Sequence, residues 1–371
     1  MPAVIFFLVL ASAELSVMLI APQRLYNRYN SVHPDYRPPT EPHCYLGWYN
    51  RPSSETISYD LDSGLYTARH NAVGFRGPEV YNTTVSRALA FGDSQTYGLY
   101  LSEAETIPRR LQGLTGVETL NLGVIGYSTD QELVLYESLK GNLEHDIVIV
   151  FFYINDLNGN IQRMQHGLQK PYYALRNGSL VLKKADICEL PEQRDHTYFG
   201  LDRIFRSWSH LYTWAVNVRQ DREQIHFYDV FDQIAYYLMR QEGRYYRPSL
   251  DLTLAILERF RDEVEADGGC FILVNLPVKL IVLEDYRPGY FDGYLDRTED
   301  DFDFYRIDHE LEAFAQDRGM TFVNTNILVS ADPRRHAYFV DDDAHLSAEG
   351  AGKVAELVAP YVRECSEPRN I

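Results

Sequence analysis

The chain has few positive charges for its size and no run of them. Its 371 residues include 35 Lys and Arg against 53 Asp and Glu, a formal net charge of −18. Proteins that hold a phosphate backbone need clustered cations. This composition therefore argues against a nucleic-acid partner and leaves a neutral or cationic small molecule, or a glycan, as the expected ligand class.

Cysteine is also scarce. The four cysteines are far apart, with no C-x-x-C pair and no histidine at the spacing of a zinc ligand (Cys44, Cys188, Cys270, Cys365). We therefore predict no zinc site. One or two disulfides could form in an oxidising compartment, but four cysteines in so long a chain do not establish this. Cys270 opens an apolar run, which favours a buried core residue.

Long apolar runs are limited to the N-terminus. Residues 2–22 are apolar apart from two serines and Glu14, and about 20 such residues can cross a bilayer as a helix. The prediction is a membrane anchor or signal-like helix over residues 1–22, with a buried helix of the fold as the alternative that Glu14 supports. No Lys or Arg precedes the run, whereas Arg24 and Arg28 follow it, so the sidedness stays open.

Apolar strands alternate with helices from residue 86 onward. The predicted strands and helices are, in order, 88–91, 106–114, 119–122, 130–139, 146–153, 250–266, 270–276, 307–318, 321–323 and 347–362. Continuous apolar strands between helices indicate a parallel sheet covered on both faces. The predicted fold class is α/β, a three-layer α/β/α sandwich with a short parallel sheet, whose ligands bind at the carboxyl ends of the strands.

Two other regions depart from this alternation. Residues 23–85, rich in Pro, Tyr and Ser, predict an irregular or β extension before a catalytic domain at 86–371. An insertion at about 158–248 contains one clear hairpin signal at 172–182, which turns at Asn177-Gly178. A helix is predicted near 224–240.

Two motifs at the ends of predicted elements indicate nucleophilic chemistry. Ser94 follows the first strand in Gly-Asp-Ser, and His345 lies in Asp-Asp-Ala-His before the last helix. A serine nucleophile needs an imidazole base, which needs a carboxylate on its other nitrogen. The spacing of three residues predicts that Asp342 binds His345 Nδ1 and that Nε2 faces Ser94. The alternative for Gly-Asp-Ser is a plain turn, and the alternative for His345 is a surface histidine. A divalent cation bound by the acidic run that contains Asp342 is the least favoured interpretation.

Acyl transfer also needs donors for the developing oxyanion. Gly126 follows the second strand and Asn155 follows the third. We expect the backbone N–H groups of Ser94 and Gly126 and the Asn155 amide to converge at one edge of the sheet. Taken singly, each has a simpler explanation as a turn or a helix cap.

Together these motifs resemble the SGNH, or GDSL-type, hydrolase superfamily over residues 87–361. The matching blocks are 91–94, 121–126, 155–156 and 342–345. The resemblance implies an SGNH/flavodoxin-like sheet, with Ser94 as nucleophile, His345 as base and Asp342 as its orienting carboxylate. It also implies an oxyanion hole of Ser94, Gly126 and Asn155, and neither cofactor nor metal.

The chain departs from that family at two positions. Tyr153 stands where glycine is usual two residues before the asparagine, and Gln95 replaces the customary apolar residue after the serine. We expect either to narrow the pocket without removing a catalytic group.

A narrower resemblance lies in Leu-Gly-Trp at 46–48, in the segment 71–77 and in Lys-Pro-Tyr at 170–172. These are similar to membrane-anchored SGNH proteins of the bacterial cell envelope. The implied function is a serine esterase acting on a small acyl (acetyl) ester of a glycan or related envelope molecule, with the catalytic domain outside the cytoplasm. A polysaccharide O-acetyltransferase and a non-catalytic glycan-binding module are the alternatives. Arg76 is expected in a structural ion pair, with a place at the edge of the active site as the alternative. The oligomeric state is left open.

Overall fold

The computed structural model describes residues 2–20, 39–60, 64–80, 86–165, 168–183, 205, 209–212, 214–215, 230–288, 298–341 and 343–367. The chain divides into two compact units. One comprises residues 1–36 and 189–228, and the other comprises residues 37–188 and 229–371. Asp342 and parts of the predicted insertion lie outside the described residues.

The smaller unit contains helix α1 (Pro2–Ile20). Its one charged residue, Glu14, accepts hydrogen bonds from the Ser209 hydroxyl at 2.6 Å and from the backbone N–H groups of His210 and Leu211. Free N–H groups at the start of a helical segment attract a carboxylate, so the charge within an apolar run has defined partners.

The structure of α1 contradicts the prediction of a transmembrane helix. Across the described ranges, no helix combines the length and the apolar character that crossing a bilayer requires. The predicted transmembrane anchor at residues 1–22 is therefore wrong.

The larger unit opens with two small antiparallel pairs. Strand β1 (Thr40–His43) pairs with β2 (Gly47–Asn50), and β3 (Ser54–Asp60) pairs with β4 (Gly64–His70). The described part of residues 40–70 thus contains two antiparallel strand pairs.

A five-stranded sheet forms the centre of the larger unit. Its strands are β5 (Arg87–Gly92), β6 (Glu118–Asn121), β7 (Ile147–Phe152), β12 (Cys270–Asn275) and β13 (Thr321–Asn324), in the order β13-β12-β7-β5-β6. Every pairing in it is parallel. Strands β5 and β7 are buried along their whole length. The connections reverse direction between β5 and β7, and such a switch point is where ligands of open α/β sheets bind.

Helices cover both faces of this sheet. In the described residues of the larger unit, the helices are α2 (Ser94–Tyr97), α3 (Ile107–Thr115), α4 (Thr129–Leu139), α5 (Asp156–Ile161), α6 (Val230–Leu238), α7 (Tyr246–Ala266), α8 (Lys279–Val282), α9 (Arg306–Arg318), α10 (Thr325–Ser330) and α11 (Ala348–Ser366). Helix α11 packs on α3, and α7 packs on α4 and α5. The predicted three-layer α/β/α sandwich with a parallel sheet is confirmed.

The hairpin predicted in the insertion is also confirmed. Between β7 and β12 the chain forms the short strands β8 (Met164–Gln165) and β9 (Leu168–Gln169), then β10 (Tyr172–Arg176) and β11 (Ser179–Lys183). Asn177 and Gly178 connect the last two with φ of 51° and 77°, the left-handed pair that a tight hairpin turn requires. The domain limits drawn from the sequence stay a prediction.

Cysteine chemistry differs from expectation at one position. Cys270, at the start of β12, forms a disulfide with Cys365 in α11. Cys44 is disulfide-bonded as well. Cys270 is thus a covalent link between sheet and helix layer, because the end of α11 comes within reach of the first residue of β12.

Candidate active site

Ser94 lies at the switch point of the sheet. Strand β5 ends at Gly92, and Ser94 is the first residue of α2. Asp93 caps this helix, since its Oδ1 accepts the N–H of Gln95 at 2.8 Å. A side chain at Gly92 would meet the Thr96 hydroxyl oxygen at 2.0 Å. Glycine is therefore required for the sharp exit that leaves Ser94 partly exposed at the strand end.

His345 lies against Ser94, 251 residues away in the chain. Its Nε2 is 2.8 Å from Ser94 Oγ, and its Nδ1 is 2.5 Å from Asp343 Oδ1. An ionised carboxylate can only accept hydrogen bonds, so Nδ1 carries the proton and Nε2 is the acceptor for the serine hydroxyl. The imidazole is thus oriented as a base toward Ser94.

Among the described residues, the carboxylate that binds His345 is Asp343, whereas the sequence assigned this role to Asp342. The Asp343 Oδ1 atom also accepts the backbone N–H of His345 at 3.0 Å. A residue two positions before the histidine can reach both its ring and its backbone within one tight turn. Asp342 itself lies outside the described residues.

Both oxygens of Asp343 have donors. Its Oδ2 accepts the hydroxyl of Tyr100 at 3.1 Å. Burial alone would raise the pKa of Asp343, but the hydrogen bond and charge of His345 and the hydrogen bond from Tyr100 hold it at about 2. The carboxylate is therefore ionised at neutral pH.

Asn155 follows β7 and is held by Asp93. Its Nδ2 donates to Asp93 Oδ2 at 3.0 Å. Burial raises the pKa of Asp93, against the hydrogen bonds from Asn155 and from the Gln95 backbone. The Asn155 amide has two N–H donors, so one remains for another acceptor at this edge of the sheet.

The loop that carries Gly126 packs against α2. Asn121 donates through Nδ2 to the Thr96 carbonyl at 3.0 Å, and its Oδ1 accepts the N–H of Gly123. A side chain at Gly123 would meet the Tyr97 nitrogen at 2.3 Å. Gly126 adopts a left-handed φ of 78°.

The N-terminal extension supports the same loop. Trp48 Nε1 donates to the Ile125 carbonyl at 2.9 Å, and Asn50 Nδ2 donates to the Gly123 carbonyl at 3.0 Å. The hydroxyl of Tyr127 returns a bond to the Trp48 carbonyl at 2.5 Å. The Leu-Gly-Trp motif at 46–48 therefore contributes to the loop before Gly126.

Gln95 clamps the histidine loop. Its Nε2 donates to the Ala344 carbonyl at 3.1 Å, and its Oε1 accepts the N–H of Leu346 at 3.0 Å. These two backbone groups flank His345, and the Gln95 side chain is buried. The residue next to Ser94 is thus hydrogen-bonded on both sides of His345.

Two buried cations hold the surrounding backbone. Lys279 donates to the carbonyls of Val340 at 2.8 Å and Asp343 at 3.2 Å. Arg76 donates to three carbonyls at the end of α2 and just beyond it (Tyr97, Gly98, Leu101). Arg76 was expected in an ion pair, but its guanidinium instead caps the C-terminal end of α2. The last carbonyls of a helix attract a cation.

Ser94 and His345, both singled out in the sequence, are hydrogen-bonded to each other, whereas the oxyanion-hole roles of Gly126 and Asn155 stay predictions. The sequence did not predict the contacts that four other residues make with this pair or its loops. Those residues are Asp343, Gln95, Tyr100 and Lys279. The acidic run marked the region of Asp343 without selecting the residue. The pocket-narrowing roles of Gln95 and Tyr153 stay predictions. In the described ranges, no three His, Cys, Asp or Glu side chains come together as a metal site needs.

Comparison with known proteins gives structural similarity without close sequence relatives. Neither protein-family models nor curated proteins match the chain. Among solved structures, it is similar to a lipase/acylhydrolase from Enterococcus faecalis, at 14% identity and a TM-score of 0.41, over 77% of this chain and 100% of that one. A member of the lipolytic G-D-S-L family from Veillonella parvula matches at 13% identity and a TM-score of 0.39, over 74% and 97%. A psychrotrophic esterase from Pseudoalteromonas matches at 9% identity and a TM-score of 0.38, over 75% and 97%.

At this level of similarity, function is inferred from the geometry of the site alone. The narrower resemblance to cell-envelope proteins stays a prediction.

Proposed function

We propose that the protein is a serine esterase that works by two-step acyl transfer. The observation that carries this proposal is the continuous hydrogen-bonded series of Asp343, His345 and Ser94, with distances of 2.5 and 2.8 Å. Nucleophile, base and orienting carboxylate in this geometry are what an activated serine requires. Resemblance of the motifs to SGNH hydrolases supports the same reaction class.

In the first step, Ser94 Oγ attacks the carbonyl carbon of the ester while its proton passes to His345 Nε2. Asp343 holds the Nδ1 proton and stabilises the imidazolium that forms. The tetrahedral adduct then collapses, the C–O bond to the alcohol breaks, and the alcohol leaves with the proton from Nε2. Ser94 is left as an acyl ester.

In the second step, water attacks the acyl carbon and gives a proton to His345 Nε2. The bond from the acyl carbon to Ser94 Oγ breaks, the serine regains its proton and the carboxylic acid leaves. Each charge formed on the imidazole is thereby cancelled within the same half-reaction.

The oxyanion of each adduct is assigned to three donors. They are the backbone N–H groups of Ser94 and Gly126 and the free amide hydrogen of Asn155. Two observations support this assignment. The Ser94 turn, the Gly126 loop and Asn155 follow neighbouring strands at the carboxyl edge, and Asp93 holds the nitrogen of Asn155 by a hydrogen bond.

The substrate is proposed to be a small acyl ester, such as acetyl, on a glycan or a related molecule of the cell envelope. This part is supported by the motifs shared with envelope proteins and by a net charge of −18, which disfavours polyanions. The disulfide of Cys270 and Cys365 supports a location in an oxidising compartment. The same acyl-enzyme could pass its acyl group to a glycan hydroxyl in place of water.

The decisive experiment is labelling with a fluorophosphonate, followed by peptide mass mapping, with His345→Ala as the control. We expect an adduct on Ser94 in the wild type and none in the control. A folded wild-type protein without an adduct would refute the proposal and favour a glycan-binding module. Release of acetate from acetylated glycans, with and without added unacetylated glycan, then separates hydrolysis from transfer.

A further inference from the structure

Tyr100 has an unusual backbone for a large side chain. Its φ is 69°, and among the described residues only Ser53 and Asn177 are other non-glycine residues with a positive φ. The left-handed region is accessible to small polar residues and is disfavoured for bulky ones. Strain of this kind persists where the surrounding structure imposes it and concentrates at functional sites.

The side chain of Tyr100 reaches two members of the proposed triad. Its hydroxyl donates to Asp343 Oδ2 at 3.1 Å. Its ring meets the imidazole of His345 edge-on, with centroids 5.5 Å apart and an interplanar angle of 86°. The Tyr100 ring also contacts the ring of Tyr66 in β4, with centroids 6.0 Å apart and an interplanar angle of 82°. Tyr100 thus lies between the extension and the catalytic loop.

The backbone conformation and the contacts have one explanation. Gly98 follows the last residue of α2 as its cap and is also left-handed, with a φ of 83°, so the chain turns sharply just after this short helix. Tyr100 lies six residues after Ser94 in the sequence. Its left-handed backbone conformation directs its side chain to Asp343. The strained conformation is what brings the hydroxyl to the carboxylate.

The Asp343 carboxylate needs a donor on its second oxygen. Its Oδ1 is occupied by the ring and backbone N–H groups of His345. Rotation of a carboxylate about its last torsion is soft, and rotation would break the hydrogen bond to Nδ1. The Tyr100 hydroxyl on Oδ2 opposes that rotation, and its ring opposes tilting of the imidazole.

We propose that Tyr100 is a positioning residue for acyl transfer: it holds the Asp343 carboxylate and the His345 ring in line with Ser94 while the imidazole gains and loses its proton. This inference rests on the proposed function. It adds a fourth residue, contributed by the turn after the nucleophile, to the series of Asp343, His345 and Ser94.

A double-mutant cycle tests the proposal. The variants are Tyr100→Phe, Asp343→Asn and the double variant, measured with p-nitrophenyl acetate and by the rate of Ser94 labelling with a fluorophosphonate. Tyr100→Phe keeps the ring and removes only the hydroxyl. We expect kcat to fall about tenfold with KM unchanged, since hydrogen bonds to charged groups contribute at least this much. In the Asp343→Asn background, the same substitution should change kcat by about twofold or less, because the ionised carboxylate that Tyr100 positions, and with it the productive imidazole tautomer, is already lost.

Tyr100→Gly provides a second variant that tolerates the left-handed backbone. We expect it to melt near the wild-type temperature and to lose at least as much kcat as Tyr100→Phe. Wild-type kcat in Tyr100→Phe or in Tyr100→Gly would overturn the proposal. So would an equal loss of kcat from Tyr100→Phe in the wild-type and Asp343→Asn backgrounds, because a purely structural tyrosine gives that result. Failure of the wild type to be labelled at all would instead refute the proposed esterase.

Discussion

Asp343 binds His345 twice, through the ring nitrogen at 2.5 Å and through the backbone N–H at 3.0 Å, with the same carboxylate oxygen. The turn that forms the second bond also sets the position of the imidazole relative to the carboxylate. The orienting acid and the base are therefore held by one short segment, whereas the nucleophile comes from the other end of the domain sequence.

The first prediction separates the two neighbouring aspartates. Asp343→Asn should lower kcat by about 10³–10⁴-fold, because the amide favours the wrong imidazole tautomer. Asp342→Asn should change it by about twofold or less, since the bond to Nδ1 comes from Asp343. Steady-state hydrolysis of p-nitrophenyl acetate by both variants gives the comparison. A larger loss in Asp342→Asn would restore the assignment made from the sequence.

The second prediction concerns the clamp on the histidine loop. Gln95→Met keeps the approximate shape but leaves the Ala344 carbonyl and the Leu346 N–H without their partner. Each buried unpaired group costs about 1–3 kcal/mol, so the free energy of unfolding should fall by an amount in that range or above. We expect kcat to fall as well, because His345 lies between the two released groups.

Urea unfolding and ester hydrolysis measure the two effects of Gln95→Met. Gln316→Met, on the exposed side of α9, is the matched control and should leave both unchanged. Normal stability and normal kcat in Gln95→Met would show that the clamp contributes nothing.

The third prediction concerns the disulfide between Cys270 and Cys365. These residues are 95 positions apart, and closing a loop of this length stabilises a fold by on the order of 4–5 kcal/mol. The paired variant Cys270→Ser/Cys365→Ser should lose about that much free energy of unfolding in urea.

The activity of the same variant should be close to normal at 25 °C. Cys270 opens β12, at the amino end of the sheet, whereas Ser94 follows the carboxyl end of β5. A paired variant that is fully folded but inactive would contradict this separation of structural and catalytic ends.

The fourth prediction is a dependence of stability on pH through Asp308. This residue is fully buried and accepts hydrogen bonds from Asn326 Nδ2 at 2.9 Å and from Asn275 Nδ2. Burial raises its pKa to about 7, against those hydrogen bonds. A raised carboxyl pKa means that the folded state binds the proton more tightly, so stability is lost as pH rises from about 4 to 7.

Asp308→Asn removes this ionisation and keeps an oxygen acceptor for the two asparagines. Its melting temperature should exceed that of the wild type at pH 8, and the difference should shrink as the pH approaches 4. A difference that is constant across this range would show that Asp308 is not the group responsible.

The fold was largely readable from the sequence. Buried parallel strands such as β5 and β7 are continuous apolar runs, and no surface-facing pattern competes with that signal. The exception among the apolar segments is residues 1–22, where the length suggested a membrane span and the described helices do not provide one. Length and composition alone did not separate an anchor from other apolar helices.

Candidate site residues could be found in the sequence by their place in the order of elements, at a strand end or, for His345, in the loop before the last helix. Ser94, Gly126 and Asn155 each follow a predicted strand, so the order of elements brought them to one edge. Asp343 could not be distinguished from Asp342, because the choice depends on the turn geometry before His345.

The sequence by itself determined the parallel sheet and the end of the sheet at which Ser94 and His345 meet, since apolar periodicity and strand order are local signals. Tertiary structure alone decided that Asp343 holds the imidazole, that Gln95 binds on both sides of His345 and that Tyr100 reaches the carboxylate. Those contacts join segments up to 251 residues apart. They depend on hydrogen-bond distances of a few ångströms, which no local pattern encodes.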